Sequence, residues 1–453
     1  MEITCDLHCH SGYAGGTGNI SLEHLASSMV LKGIDVLGTG DCLFPKWKNE
    51  LVDKLEEQED GLFSLKKPEV AHYDLFVDQL KFARFILQTE LIFTFAEQGL
   101  KKRKRMDVVF LFRSFTNIDA VVGLLEKWKV KNTIGRPFIL CKNGKEVGER
   151  IREILAIDNW IEAFPAHVMT PQGVFGSTNH IDSLNMIFGD NWQDIHAIET
   201  GLSADPGILE MIPELSDLTF LSNSDLHSAG LDKVGREFTC LEVDEITYKD
   251  IIQSIRTNKV VYTFEFMPEE GRYFLTGHKG SRPKHKGEVC VYSPDQTPMS
   301  RQCPVCGRDL YIGVLERAQD LREKQLFKVQ LHGNKIKRKF FTVVPLFEII
   351  QYLGHNKKTS LIIYKNAIKP FGNEKNLWLS DLEDISGKLE GVLKREVIDV
   401  IIHIKKGNFY FDPPRYDGVK GKLVIGKKRD FGGFKIEPKN TKVSDQLTFQ
   451  QFS

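Results

Sequence analysis

The chain has 453 residues, which is enough for two or three domains with a large core. Hydrophobic residues make up 41% and charged residues 27%, an ordinary composition for a globular protein. No apolar run is long enough to span a bilayer, and the first residues lack the pattern of a secretory signal. We therefore expect a cytoplasmic protein with no membrane contact. Its eight cysteines should be reduced, so a Cys-x-x-Cys pair would indicate a metal site.

The formal net charge is zero, but the charge is unevenly distributed. Residues 316–453 contain 27 Lys and Arg against 16 Asp and Glu, so residues 1–315 carry an equal excess of negative charge. This asymmetry fits a catalytic body followed by a region that binds a polyanion. It fits ordinary solvated surface equally well, and charge alone does not separate the two.

The first ten residues predict a strand that ends in a pair of histidines. Ile3, Cys5 and Leu7 alternate with polar residues, as in a half-buried strand. His8 and His10 follow, and residues two apart in a strand point to the same side. Two imidazoles presented together suit zinc or manganese. The alternative is a pair of surface histidines on a loop.

Six later apolar segments are predicted as strands, and each carries an acidic residue or a histidine. They are 33–41 with Asp41, 85–95 with Glu90, 106–112 with Asp107, 160–168 with His167, 195–201 with Glu199, and 218–227 with Asp225 and His227. Segments of helical periodicity lie between them, at 118–130, 147–157 and 181–188. This alternation predicts parallel strands in a near-complete α/β barrel, with its chemistry at the carboxyl ends of the strands. Any one of these residues, Glu199 above all, could instead be a structural hydrogen-bonding group.

The motifs DLHCH, GTGD, TEL, PAH and SDLH resemble those of the PHP (polymerase and histidinol phosphatase) superfamily, over roughly residues 1–260. The resemblance implies a distorted (β/α)7 barrel that binds two or three divalent metals, either zinc, manganese or magnesium. Within the superfamily, SGY, FGS followed by IDSL, ETGLSADP and SNSDLHS resemble the endonuclease Q family. That resemblance implies an enzyme that nicks DNA on the 5′ side of deaminated bases (uracil, hypoxanthine, xanthine) and of abasic sites.

The resemblance also implies a set of metal ligands. They are His8, His10, Asp41, Glu90, His167, Asp225 and His227. Two positions depart from the family pattern. Phe44 stands where a ligand histidine is expected and cannot bind a metal, while Asp107 stands in the neighbourhood of another expected histidine and can. We expect at least two metals to remain.

Three of these residues are assigned to catalysis. Glu90 and Asp225 carry carboxylates, which can bridge two metals as a neutral imidazole cannot, and His227 completes the group. Asp6 lies beside the histidine pair, and we expect it to orient these ligands rather than to bind metal.

The densest basic run is Lys101–Arg105, with the sequence KKRKR. It precedes a predicted strand, so it should lie on the amino-terminal, non-catalytic side of a barrel. The run is either solvated surface or a source of general attraction to DNA. A damaged base would also need a pocket once flipped out of the duplex. Residues 11–18 and 169–179 lie where such a pocket could form, but the sequence assigns them no roles.

Residues 261–315 predict a small zinc-binding module resembling a zinc ribbon. Cys303 and Cys306 form a Cys-x-x-Cys knuckle, and Cys290 lies 13 residues before the first of them. A structural zinc site needs a fourth ligand, which is either His285 or His278. A redox pair would instead need a helix start inside a βαβ unit. The text CPVCGRDLYIGVLERA also resembles the end of the zinc module in endonuclease Q.

The remaining part is predicted to be mainly helical. Residues 316–426 resemble a basic domain that helps endonuclease Q clamp DNA, and the alternative is a plain helical packing domain. Residues 427–453 are Lys-rich and predicted to be a flexible tail. We predict helices at 312–326, 344–354 and 379–402, and a hairpin at 328–343.

Three functions follow from these features. The first is a metal-dependent endonuclease that acts on damaged double- or single-stranded DNA. The second is a PHP phosphoesterase for a small phosphate ester or nucleotide. The third is a catalytically impaired DNA-binding relative, suggested by Phe44 and Asp107. The zinc module and the basic carboxyl-terminal part favour the first over the second, and the seven retained ligands favour it over the third.

Overall fold

The computed structural model describes residues 1–58, 60–97, 100, 102–177, 181–189, 194–326 and 338–426. The predicted tail at 427–453 lies outside these residues. So do Lys101, positions 178 and 179 of the candidate pocket, and most of the predicted hairpin at 328–343. Among the helices that the structure describes, none is both long and apolar enough to cross a membrane.

The strands of the described residues are short, apart from a central pair of nine or more residues. They are β1 Glu2–Asp6, β2 Val36–Gly38, β3 Leu55–Glu57, β4 Leu62–Leu65, β5 Arg84–Phe95, β6 Lys104–Phe112, β7 Phe138–Leu140, β8 Glu162–Pro165, β9 Ala197–Glu199, β10 Thr219–Leu221, β11 Phe238–Glu242, β12 Val260–Glu265, β13 Thr276–His278, β14 Cys290–Tyr292, β15 Phe340–Thr342, β16 Phe409–Asp412 and β17 Lys422–Ile425.

The α-helices concentrate towards the carboxyl-terminal end of the described chain. They are α1 Leu22–Lys32, α2 Pro45–Lys54, α3 Phe115–Lys127, α4 Gly144–Leu155, α5 Asn185–Phe188, α6 Pro206–Leu209, α7 Tyr248–Arg256, α8 Val314–Leu326, α9 Leu346–Tyr352, α10 Lys357–Ile368, α11 Glu374–Leu379, α12 Leu382–Leu389 and α13 Arg395–Lys405.

The molecule is a mixed α/β fold with a central sheet of eleven described strands. Its order is β15-β12-β11-β1-β2-β5-β4-β3, while β6 and β7 also pair with β5, and β8 pairs with β6. The pairs β1–β2 and β2–β5 are parallel, as predicted. The prediction of parallel strands throughout is wrong, because β5–β6 and β6–β8 are antiparallel. Only residues 96–103 separate β5 from β6, too few for the helical crossover that a parallel pair requires. The closed seven-stranded barrel remains a prediction.

The strand ends that carry the candidate ligands are tied together by the backbone. β9 and β10 form a separate parallel pair. Backbone hydrogen bonds connect neighbouring strand ends, from Ala166 N to Asp107 O (2.9 Å), Val168 N to Glu199 O (3.2 Å), Thr200 N to Leu221 O (2.9 Å) and His10 N to Leu226 O (3.1 Å). The ends therefore converge at one edge of the fold.

Most predicted helices form, and several start at a side-chain cap such as Ser114, whose hydroxyl accepts from the backbone. Two predictions need correction. Only Asn185–Phe188 is α-helical within 181–188. The helix predicted at 379–402 is divided into α12 and α13, because the chain turns at Gly391, where φ is +76°.

The carboxyl-terminal part is joined to the first part by a strand and by packing. β15 pairs with β12 in parallel, so the end of the segment predicted as a hairpin extends the central sheet instead. On the other side, Lys32 of α1 and Glu374 of α11 form a buried ion pair of 2.8 Å. One hydrophobic core cluster runs from α1 to the carboxyl-terminal helices. The predicted domain boundaries at 260 and 315 remain predictions.

Candidate metal centre

The histidine pair follows β1 on an irregular segment that side chains hold in place. His8 and His10 are fully buried, with ring centroids 5.2 Å apart. Two backbone amides of this segment donate to side chains and not to the backbone of a neighbouring strand. Leu7 N donates to Asn223 Oδ1 (2.7 Å), and Cys9 N donates to Gln88 Oε1 (3.1 Å). Because Gln88 belongs to β5 and Asn223 follows β10, the histidines are fixed relative to those strands.

Glu90 of β5 lies at the centre of a cluster of candidate ligands. Its carboxylate oxygens are 3.7 Å from His8 Nε2, 3.6 Å from His10 Nε2 and 3.3 Å from His167 Nε2. Asp225 Oδ1 is 3.0 Å from His10 Nε2 and 3.7 Å from His8 Nε2. Donor atoms within 4.8 Å of one another form three groups, His8 with His10 and Glu90, His10 with Asp225 and His227, and Glu90 with Asp107 and His167.

The donor set fits divalent cations. His8 Nε2, His10 Nε2, Glu90 Oε1 and Asp225 Oδ1 are all buried, and no hydrogen-bond partner satisfies any of them. Leaving one buried polar atom unsatisfied costs about 1–3 kcal/mol, so four such atoms facing one another would be costly without a bound group. Imidazole nitrogens mixed with carboxylate oxygens are typical ligands of zinc and manganese.

The charged groups in the centre shift one another's pKa values. Burial alone would lower the pKa of His10, but the adjacent carboxylates of Asp225 and Asp41 raise it to about 10. Burial would also lower the pKa of His167, but the adjacent carboxylate of Glu90 raises it to about 10. Burial would raise the pKa of Glu90, yet the surrounding histidines hold it well below its usual range. The carboxylates thus create a negative potential that favours cations.

Glu199 supports the cluster from behind. Both of its oxygens lie 3.0 Å from His8 Nδ1. The same carboxylate accepts from His167 N (2.7 Å) and Asn223 Nδ2 (2.9 Å). These contacts confirm the interpretation of Glu199 as a hydrogen-bonding residue. By holding Nδ1 it directs Nε2 of His8 towards the cluster.

Asp41 and Asp6 both lie behind the ligands. Asp41 has φ +45° and accepts from the Ser11 amide (2.7 Å) and hydroxyl (2.6 Å). Its other oxygen is 3.3 Å from Nδ1 of His10, the nitrogen that faces away from Glu90. The role of Asp41 as a ligand remains a prediction, and its observed contacts are those of a residue that orients His10. Asp6 accepts from the backbone amides of Ser224 (2.9 Å) and Gly235 (3.1 Å), and its role in orienting the histidines remains a prediction.

Asp107 reaches the cluster from the start of β6. Its Oδ2 is 3.8 Å from His167 Nε2, and it is grouped with Glu90 and His167. Arg105 binds the same carboxylate through two contacts of 2.7 Å. Asp107 is therefore at the site, but a metal there would compete with a guanidinium.

The predicted position of the basic run is wrong. Because β6 is antiparallel to β5, the start of β6 lies beside the end of β5, at the edge that carries the candidate ligands. Lys104 and Arg105 lie at that edge, and Lys101 is outside the described residues. The prediction failed because it assumed that every strand runs in the same direction.

The remaining candidates line the mouth of the centre. His227 is partly exposed, with its ring 4.6 Å from that of His10. Phe44, in place of an expected histidine, packs against Tyr13 with ring centroids 5.0 Å apart. Arg136, which we did not predict, places Nη1 3.5 Å from Glu90 Oε2. It lies two residues before β7, in a segment predicted as neither helix nor strand, so no periodicity pointed to it.

The cysteine module brings all five predicted residues together. Cys303 Sγ lies 3.4 Å from His285 Nε2 and 3.8 Å from Cys290 Sγ. Cys306 Sγ lies 3.6 Å from His278 Nδ1. Donor atoms of the two histidines, Cys303 and Cys306 lie within 4.8 Å of one another. Both histidine alternatives thus reach the cluster, giving five candidate donors for a site that normally takes four.

Comparison with known proteins begins with sequence relatives. No protein-family model matches the chain. It is 31% identical over 225 residues to an uncharacterized protein of Methanocaldococcus jannaschii, covering 48% of this chain and 27% of that protein. It is 24% identical over 338 residues to the uncharacterized protein YqxK of Bacillus subtilis, covering 71% of this chain and 78% of that protein. The chain thus spans only about a quarter of the first relative's length.

Two solved structures match nearly the whole chain. The lesion-specific endonuclease PfuEndoQ of Pyrococcus furiosus has a TM-score of 0.73 at 25% identity, covering 95% of this chain and 96% of that one. The second is a complex of endonuclease Q with a 27-mer duplex substrate that has an abasic lesion at the active site. Its TM-score is 0.72 at 25% identity, covering 95% of this chain and 97% of that one. The chain is therefore an endonuclease Q-like protein.

Proposed function

We propose that the chain is a metal-dependent DNA endonuclease that nicks the backbone on the 5′ side of deaminated bases or abasic sites. The supporting observation is the buried group of unsatisfied donors around Glu90, in a chain that matches endonuclease Q over 95% of its length. The match extends through the cysteine module and the carboxyl-terminal helices. A phosphoesterase for small esters would need neither part.

In this proposal the centre would hold two or three divalent ions. His8, His10 and His167 would supply Nε2 as ligand atoms, and Glu90 and Asp225 would supply carboxylate oxygens. Bound there, the ions would neutralise charge on the phosphate and lower the pKa of a water molecule. Zinc, manganese and magnesium are all candidates.

The chain's own groups would position the substrate. Arg136 lies beside Glu90 with its side chain 22% exposed, so its guanidinium can meet a phosphate oxygen at the mouth. Nδ1 of His227 is 2.9 Å from the carbonyl of Asp225. A carbonyl oxygen only accepts hydrogen bonds, so Nδ1 of His227 carries the proton of the neutral ring. Nε2 of His227 is then free to bind metal. When the ring is protonated, Nε2 can instead donate to a leaving oxygen.

We propose a structural zinc ion in the module of residues 261–315. Cys290, Cys303 and Cys306 would bind it with His285, whose Nδ1 donates to Glu288 O (2.8 Å) and so leaves Nε2 free. His278 is the competing fourth ligand. The module has its own small core, made by two of the cysteines and Leu310, which a bound zinc ion would reinforce.

The test is incision of labelled duplexes that carry uracil, hypoxanthine or an abasic site, with manganese or magnesium present. We expect wild-type protein to cut the lesion strand and to leave an undamaged duplex intact. Asp225→Asn should reduce the rate by at least about a hundredfold, because it weakens a ligand that two histidines face. Its affinity for the duplex should change little.

Asp232→Asn is the matched control, since Asp232 lies seven residues along the chain and pairs with Lys233 outside the centre. It should cut like the wild type. Turnover of a free phosphate ester without incision of any duplex would contradict the proposal. Binding of lesion DNA without incision, unchanged in Asp225→Asn, would instead favour the impaired relative.

A further inference from the structure

The sheet continues past the metal centre and ends in an exposed apolar face. Residues paired across a sheet point to the same side. Asp107 of β6 and Phe138 of β7 both pair with Ile92 of β5, two residues beyond Glu90. Phe138 therefore projects from the same face of the sheet as Glu90 and Asp107, close to the candidate metal ligands.

The next row of the sheet repeats this arrangement. Arg105 and Leu140 both pair with Thr94, so these three side chains share that face as well. Phe138 is 53% exposed and Leu140 is 68% exposed, while Ile139 between them is buried. We refer to Thr94, Arg105, Phe138 and Leu140 as the β7 platform.

The platform is rigid and has a basic border. Arg103 donates to Thr94 O (2.7 Å) and to Cys141 O, which links the ends of β5 and β7. The Arg105 guanidinium lies 5.9 Å from the Phe138 ring centroid. Lys102 and Lys142 are exposed at the same strand ends. A flat apolar ring bordered by cations matches the chemistry of a nucleic-acid strand, in which bases stack and phosphates are anionic.

We propose that the β7 platform receives one unstacked nucleotide of the DNA beside the lesion. Its base stacks on Phe138, and the neighbouring phosphates lie at Arg105 and Arg136. This inference rests on the proposed function, because it assigns the platform to the same substrate. It adds the contact that holds the opened strand while the lesion is at the metal centre.

The test compares Phe138→Ala with Phe138→Trp in binding an abasic duplex that carries 2-aminopurine next to the lesion. Stacking quenches the fluorescence of this base. We expect Phe138→Ala to bind about tenfold more weakly and to leave the fluorescence higher than in the wild-type complex. Phe138→Trp should keep both the affinity and the quenching, which a purely structural role would not predict. Because Phe138 is more than half exposed, both variants should fold.

Phe82→Ala is the matched control. Phe82 is 79% exposed and precedes the start of β5, at the opposite end of that strand from the platform. It should bind and quench like the wild type. If Phe138→Ala does the same while the wild type binds and cuts, the platform is refuted and the proposed function stands. If the wild type itself does not bind the duplex, both are refuted.

Discussion

At the residue scale, the centre depends on side chains that hold the ligands as much as on the ligands. His8, Glu90 and Asp225 could be predicted because the strand pattern and the family resemblance both point to them. Their contacts could not, because they connect residues far apart in the chain. Glu199 and His8, for example, are 191 positions apart. Arg136 was missed for the same reason, since only the folded sheet brings it to Glu90.

Glu199→Gln tests whether the Glu199 carboxylate holds Nδ1 of His8 and so orients this ligand. The amide keeps the size of the carboxylate but loses the charge that fixes the tautomer of His8. We expect the metal affinity to fall by about 10- to 100-fold, and the incision rate at limiting metal to fall with it, with little change in the melting temperature. Metal titration followed by incision at limiting metal measures both. Glu242→Gln, an exposed change on β11, is the control. Unaltered metal affinity would show that Glu199 does not orient His8.

At the scale of elements, strand direction was the main error of prediction. The apolar runs at 85–95 and 106–112 were correctly assigned as strands, and both carry a residue of the centre. Periodicity reports burial and not direction, so a hairpin and a crossover look alike when the connecting residues are polar. Antiparallel pairing explains why Asp107 and Arg105, at the start of their strand, still reach the edge that carries the candidate ligands.

Two buried glutamates, Glu265 at the end of β12 and Glu237 directly before β11, give a pH dependence of stability. Burial raises the pKa of Glu265 on β12 to about 8, and the charge of Asp205 adds to the effect. Burial and the charge of Glu265 also raise the pKa of Glu237 well above its usual value. The unfolded chain releases these protons near the ordinary value of 4.5, whereas the folded chain keeps them. Stability therefore falls as the pH rises from about 4.5 to 8.

Glu265→Gln should remove much of this loss. The variant should match the wild type in free energy of unfolding near pH 4.5 and exceed it by on the order of 2 kcal/mol at pH 8. Three hydroxyls that surround Glu265, on Thr200, Ser222 and Thr263, can reorient to bind the amide. Urea unfolding across this pH range measures the effect. Parallel curves for the two proteins would contradict the account.

At the scale of the whole molecule, one buried carboxylate of the carboxyl-terminal helices binds groups in both parts of the chain. Glu374 binds Lys32 (2.8 Å), the Tyr364 hydroxyl (2.8 Å), the Leu346 amide (2.9 Å) and the Trp378 indole (3.2 Å). The sequence predicted the helices from their apolar spacing. It could not predict that β15 joins the central sheet, since a three-residue strand has almost no periodic signal.

Removing one partner of this buried pair should destabilise the protein strongly. Glu374→Met leaves Lys32 buried and unpaired, and we expect the free energy of unfolding to fall by about 3–5 kcal/mol. The double change Lys32→Met with Glu374→Met should recover most of that loss. Asp384→Ala is the control, because its pair with Lys388 is exposed and should contribute less than about 1 kcal/mol. A small effect of Glu374→Met would show that the helices do not depend on this contact.

The most direct test of the central claim is the position of the cut, read at nucleotide resolution on an end-labelled duplex with a single abasic site. With manganese or magnesium present, we expect one nick on the 5′ side of the lesion and an intact opposite strand. The nick should disappear when the divalent metal is removed. Cleavage on the 3′ side, cleavage that persists without metal, or no cleavage at all would contradict that claim.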